Sequence, residues 1–238
     1  MVKKYEEYPL KQALLRVDFQ NPLAGYENGV CPAVEQAMQE TFPGKMEQAT
    51  QQDMWVWAYF SKDGKKRAQI EPTAFYIKYN NTCNNHETLI KDFSLVFNAI
   101  IKHYQDLDIT RIGLRYVDEM EIRESDFFGW KEYLSPELYS ILSLPDNNDQ
   151  QYISRALSVL EFNYGDHNLI LKYGRHNPDY PSPIRRKVFL LDSDAYKQDA
   201  IPESDVLSTI EQLHSCVDNL LNKRVLISEP WEAMYGKG

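Results

Sequence analysis

Between Ile109 and Ile122 the chain alternates with a period of two, and this stretch restricts the possible folds more than any other. Ile112, Leu114, Tyr116, Met120 and Ile122 fall on one face, interrupted only by Asp118. Arg111, Gly113, Arg115, Val117, Glu119 and Glu121 fall on the other. One apolar face at that period is the pattern of a half-buried strand, here a long one. Such a strand needs partners on its edges and a hydrophobic layer against its apolar face. The charged face is either wet or the place where the protein touches something.

Two helical stripes can supply the layer. Leu89, Phe93, Val96, Phe97, Ile100, Ile101 and Tyr104 form the first, behind an Asn84–Glu87 pair that resembles a capping box. Val206, Ile210, Leu213, Val217, Leu220 and Leu221 form the second, between Glu203 and Asn222. A shorter helix is expected from Pro32, a good first helical residue, to the stop at Pro43-Gly44. Further strands are expected at Pro9–Phe19 and Met54–Phe60, then over Ala68–Tyr79 after an Asp63-Gly64 turn. Ile153–Tyr164 and Leu169–Tyr173 flank a turn at Gly165-Asp166, and Lys187–Leu191 reads as a strand ending in Asp192-Ser193-Asp194. The expected class is therefore α+β: an antiparallel or mixed sheet with two long amphipathic helices. A polar break at 145–149 divides it into two related sheet-plus-helix halves, residues 1–145 and 146–238, packed as one unit.

Composition narrows function chiefly by exclusion. A net charge of −9 argues against nucleic acid, whose backbone recognition needs clustered positive surface, and is compatible with a protein partner. Cys31, Cys83 and Cys216 are far apart with no Cys-x-x-Cys pair, so neither a zinc site nor a disulfide framework is indicated. No run of 18 apolar residues indicates a membrane span, and the first residues lack the apolar segment of a signal peptide, so a cytoplasmic location is expected. Nothing calls for a cofactor, and a homo-oligomer is compatible with the sequence.

Chemistry-bearing motifs are sparse. No phosphate-binding glycine loop, nucleophile elbow or zinc-protease helix is present. Asp192 and Asp194, with Glu119 or Glu121, are the carboxylates from which a metal-dependent hydrolase or nuclease could be built, given a turn at the strand end that aims both aspartates at one ion. Capping of a turn is the plainer use of such residues. His214 and Asp218, one helical turn apart, read as a surface pair and Cys216 as packing. His86, His103, His167 and His176 read as surface imidazoles. Arg185-Arg186-Lys187 is the most basic run, a solvated loop end or a grip on an acidic partner. Arg115 is either paired across the sheet or in contact with a partner. The reading that follows is a non-catalytic, protein-binding or regulatory protein with Arg115, Arg185 and Arg186 as partner-contacting candidates.

Four places carry a resemblance to a family. Pro9-Leu10 leads into a strand, and Arg111-Ile112-Gly113-Leu114-Arg115-Tyr116-Val117 forms the most recognisable stretch. Leu190-Leu191-Asp192-Ser193-Asp194-Ala195-Tyr196 is the third place, and Leu213–Leu220 with Trp231–Gly236 the fourth. Together they resemble an uncharacterised family of sporadically distributed prokaryotic proteins. A phenylalanine expected near the end of the last helix is replaced here by Leu220 or Leu221. The resemblance implies no activity and carries over no catalytic residue. It implies a protein of the variable prokaryotic gene pool, in which toxin–antitoxin and phage-defence components are common.

Overall fold

The computed structural model of the chain describes residues 10–44, 47–51, 54–81, 86–104, 107–121, 133–145, 149–186 and 188–226. Pro9, Cys83, Asn84, Ile122, Lys187 and Trp231–Gly236, all invoked above, lie outside them. Among the described residues the strands are β1 (Leu10–Phe19), β2 (Glu47–Gln51), β3 (Met54–Phe60), β4 (Lys66–Glu71), β5 (Ala74–Asn80), β6 (Ile109–Glu121), β7 (Ala156–Asn163), β8 (Asn168–His176) and β9 (Val188–Ile201). They form one nine-stranded sheet in the order β2-β3-β4-β5-β1-β6-β9-β8-β7. Every ladder is antiparallel. With helices α1 (Pro32–Thr41), α2 (His86–His103), α3 (Pro136–Tyr139) and α4 (Val206–Leu220), the class is α+β.

The long alternating strand is β6, and it lies mid-sheet between β1 and β9. It pairs with β9 from Ile109↔Ile201 to Glu121↔Val188, so strands from both sequence halves share one sheet. Alternation then sorts the side chains. Leu15 and Val17 of β1, Phe75 and Ile77 of β5, Ile112 and Leu114 of β6, and Phe189 and Leu191 of β9 point to one side and are buried. Against them lie Val34 and Met38 of α1, Phe93, Val96 and Ile100 of α2, and Ile210, Leu213 and Val217 of α4, in one core cluster. Two polar ties fix α2 to the sheet: Lys66 Nζ lies 2.9 Å from Asp92 Oδ2, and the Tyr79 hydroxyl donates to the same carboxylate.

Two elements depart from the sequence reading. β9 does not end at Asp192-Ser193-Asp194 but continues to Ile201, because β6 and β8 supply backbone partners on both edges through those polar residues. β2 has a nearly all-polar sequence, EQATQ, and exists through its ladder to β3 rather than through any apolar alternation.

The β7–β8 hairpin hangs on a glycine. Gly174 adopts φ +133, and a Cβ there would stand 2.2 Å from the Ala156 carbonyl oxygen on β7. Gly165, in the hairpin turn at φ +93, has open space around it. Gly165→Ala is expected to cost about 1 kcal/mol from backbone strain alone, and Gly174→Ala more than about 3 kcal/mol, because backbone must also move. Urea denaturation of the two variants beside the parent chain checks the difference; equal midpoints would contradict it.

Candidate functional site

The side of the sheet away from α1, α2 and α4 carries a lattice of charge. Ladder register aligns Arg67, Lys78, Leu14, Arg115 and Asp194 in one row across β4, β5, β1, β6 and β9. The next row is Gln69, Tyr76, Arg16, Gly113 and Tyr196, and the one after it Glu71, Ala74, Asp18 and Arg111. Hydrogen bonds and ion pairs link the rows. Arg67 donates to Gln69, and Gln69 Nε2 donates to Glu71 Oε1 at 2.8 Å. Arg16 joins Glu71 at 3.1 Å to Asp18 at 2.7 Å. Arg111 lies 3.5 Å from Asp18 and 4.0 Å from Asp194, with its guanidinium 4.9 Å from the centre of the Tyr196 ring. Arg111 can lie there because Gly113 has no side chain: a Cβ would stand 2.9 Å from Arg111 Nη1.

Arg115 is a paired residue. Its Nε and Nη2 both donate to Asp192, each at 2.7 Å, in the two-pronged geometry peculiar to arginine. The side chain is nonetheless 40% exposed, against 11% for Asp192. In these rows, with Asp192 added as the partner of Arg115, Arg16, Arg67, Lys78, Arg111 and Arg115 stand against Asp18, Glu71, Asp192 and Asp194, and Glu119 and Glu121 lie further along the same face of β6. Among the described residues, neither Lys78 nor its row neighbour Arg67 has a carboxylate in ion-pair contact, and Arg67 donates only to Gln69. Burial lowers the Lys78 pKa, and the charges acting on it, Arg67 and Arg115, lower it further.

The metal candidates are placed differently from expectation. Since β9 continues, Asp192 and Asp194 fall on the same face with no turn, as residues two apart in a strand must. Asp192 is clamped by Arg115 and Asp194 faces Arg111, so both carboxylates are held by guanidinium groups. Glu121 sits by Arg186 at 3.6 Å. Among the described residues no group of three or more His, Cys, Asp or Glu side chains is arranged to hold a metal ion. Arg185 is exposed, and Arg186, at the end of β6, is six strand residues, roughly 20 Å, from Arg115. The three arginines do not form one patch.

A second polar set lies on the helix side of the same strand. His86 opens α2 and His214 lies in α4, and their rings stack at 3.5 Å with 14° between planes. The Tyr116 hydroxyl oxygen is 2.9 Å from His86 Nδ1 and 3.3 Å from His214 Nδ1. His86 is only 9% exposed, so neither the surface imidazole nor the surface His214–Asp218 pair describes the molecule. Burial pushes both imidazoles down to about 4, with the neighbouring His86 adding to the effect on His214. Two residues on, Asp118 is buried with Oδ1 lacking a hydrogen-bond partner among the described residues, and burial, then the charge of Asp192, pushes its carboxyl up to about 7. Ser193, opposite Tyr116, is fully buried with no partner for Oγ among the described residues. The one sequence signal for this set is Asp118 itself, the residue that breaks the apolar face of β6. The two histidines, on separate helices, leave none.

A groove of about 740 Å³ lies at the other end of β6, lined among others by Gln20, Asp108, Thr110, Gln198 and Glu203, and it shares no residue with either set. No described helix is long and apolar enough to cross a membrane. No family model matches the sequence, and no curated protein matches it.

Two predictions come from these sets. Removing Arg115 strips the largely buried Asp192, beside Asp194, of its two-pronged partner, with Lys172 opposite it on β8, so Arg115→Ala should cost about 1–3 kcal/mol. Asp192→Ala in the same background should cost little more, and a double-mutant cycle in urea that returns simple additivity would contradict the pairing. For Asp118 the folded pKa lies above the ordinary 3.8, so its contribution to stability is full below about pH 4 and is lost as pH rises through about 7. The histidines act oppositely: their contribution is full above pH 6.5 and is lost as pH falls through about 4. Asp118→Asn should therefore raise the thermal midpoint at pH 8, by up to about 4 kcal/mol of stability, and leave the loss in acid in place. A lower midpoint for Asp118→Asn at pH 8 would mean that the ionised carboxylate is the stable form.

Proposed function

We propose that this is a non-catalytic binding protein whose charged sheet side takes an acidic segment of a protein partner. Lys78 carries the reading: a partly buried ammonium in one row with two guanidinium groups, Arg67 and Arg115, in a chain of net charge −9. A desolvated charge facing only like charges raises the free energy of the free protein, and an anionic group beside it relieves that cost. Arg115 stands two places along the same row, across Leu14. Asp192 fixes its fork through Nε and Nη2 and leaves Nη1 outside the pair. Two held cations flanking a leucine suit carboxylate and aliphatic side chains together, as in an acidic peptide. Nucleic-acid backbone instead favours an extended positive surface, which the net charge opposes.

In this reading Asp192 and Asp194 anchor arginines rather than a metal ion. The family resemblance adds a setting: the partner is the product of another gene of a variable prokaryotic locus, of the toxin–antitoxin or phage-defence kind.

A fluorescent peptide rich in aspartate and glutamate, followed by anisotropy at rising salt, is the test. Lys78→Glu should weaken binding at least about tenfold. It should also keep or raise the thermal midpoint, because repulsion by Arg67 and Arg115 turns into attraction. Arg185→Glu, on an exposed loop, should change neither. Equal binding by the parent chain and Lys78→Glu would sink the reading, as would preference for a single-stranded oligonucleotide of equal charge.

A further inference from the structure

β7 ends the strand order, so among the described residues one of its edges has no strand beside it. The hairpin shows which backbone groups that edge presents. Tyr164 N–H donates to the His167 carbonyl at 3.0 Å, which makes Tyr164/His167 a hydrogen-bonded pair. Bonded and non-bonded pairs alternate in an antiparallel ladder, so Phe162, Leu160, Ser158 and Ala156 spend their backbone groups on β8. Leu157, Val159 and Glu161 turn their N–H and C=O groups outward.

An edge of this kind normally carries lysine, proline or a bulge to discourage pairing. β7, Ala-Leu-Ser-Val-Leu-Glu-Phe-Asn, has no lysine or proline, and its register with β8 runs without a shift. Its one charge is Glu161, while Val159 and Leu160 are 53% and 43% exposed.

We propose that the chain self-associates through this edge, β7 pairing antiparallel with β7 of a second copy about a two-fold axis perpendicular to the sheet. Such an axis keeps each face of the sheet on its own side, so paired residue numbers must have the same parity. Charge selects among the allowed registers. With Ser158 opposite its own copy, Leu157 faces Val159 of the second copy, Ala156 faces Leu160, and Glu161 faces Arg155, an exposed residue directly preceding β7. The symmetry makes each of these pairs twice. Moving the axis to Val159 sets Glu161 against Leu157, and moving it to Leu157 sets Arg155 against Val159; both lose the charge match. In the chosen register the outward backbone groups of Leu157, Val159 and Glu161 face those of Val159, Leu157 and Arg155. The result is a single sheet through both copies, with the charged lattice of each on the same side.

Sedimentation equilibrium of the whole chain decides it. The parent chain should be a dimer. Val159→Pro removes an outward N–H without touching the β8 ladder, and should raise the dimer dissociation constant at least about tenfold with the circular-dichroism spectrum unchanged. Arg155→Glu and Glu161→Arg, both exposed, should each weaken the dimer, and the double swap should restore it. A parent chain that stays monomeric at every concentration overturns the proposal. So does a dimer indifferent to Val159→Pro, or a double swap no tighter than the single variants.

Discussion

Helices α1, α2 and α4 cover one side of the antiparallel sheet, and among the described residues the other side is settled largely by polar contacts. Here the lattice of arginines and carboxylates over β4, β5, β1, β6 and β9 does this, and the other features of the charged side depend on it. Each guanidinium bridges neighbours: Arg16 between Glu71 and Asp18, Arg111 between Asp18 and Asp194, Arg115 on Asp192. Exposed ion pairs are individually worth little. Linked in register across five strands, they hold one another in fixed geometry. Lys78 is informative because the charges acting on it, Arg67 and Arg115, are both cations.

The same strand carries polarity on both of its faces, by different means. On the charged side the groups are partly exposed and paired. On the helix side Asp118 and Ser193 are buried and Tyr116 partly so, and the two imidazoles close over them from α2 and α4. The helix-side groups lose hydration that partners only partly replace, so burial dominates every shifted pKa there. Asp118 and the histidines pull stability in opposite directions across the same acid range, which flattens the response of the whole molecule while leaving each group sensitive on its own.

What could be read from the sequence was whatever obeys a period. The alternation of β1 and β6, and the stripes of α2 and α4, are local patterns created by one face meeting the core, and those elements form where the patterns place them. β9 and β2 escaped for one reason. Their polar segments are strand because neighbouring strands hydrogen-bond to them, β3 directly after β2 and β6 far from β9, and backbone pairing of that kind leaves no mark in local composition. The candidate site divides in the same way. Arg115, Asp192 and Asp194 stood out as charges on strands, but that Arg115 grips Asp192 rather than the directly opposite Asp194 depends on side-chain reach across the register. Lys78 passed unnoticed because a single lysine in a strand is ordinary until its neighbours are known.

The stacked imidazoles have a further consequence. Tyr116 offers one hydroxyl proton to two Nδ1 atoms, at 2.9 and 3.3 Å. One ring can accept that proton, and then the other must supply an N–H to the phenol oxygen, so the two neutral histidines cannot be in the same tautomer. Two rings that look equivalent by distance and stacking are thus chemically unlike at any instant. Exchanging their identities requires a concerted shift of protons along Nδ1, Oη and Nδ1, together with reprotonation at the two Nε2 atoms, neither of which has a hydrogen-bond partner among the described residues. The contact between α2 and α4 is in this sense a proton register as well as a packing contact, with two settings and a phenol between them.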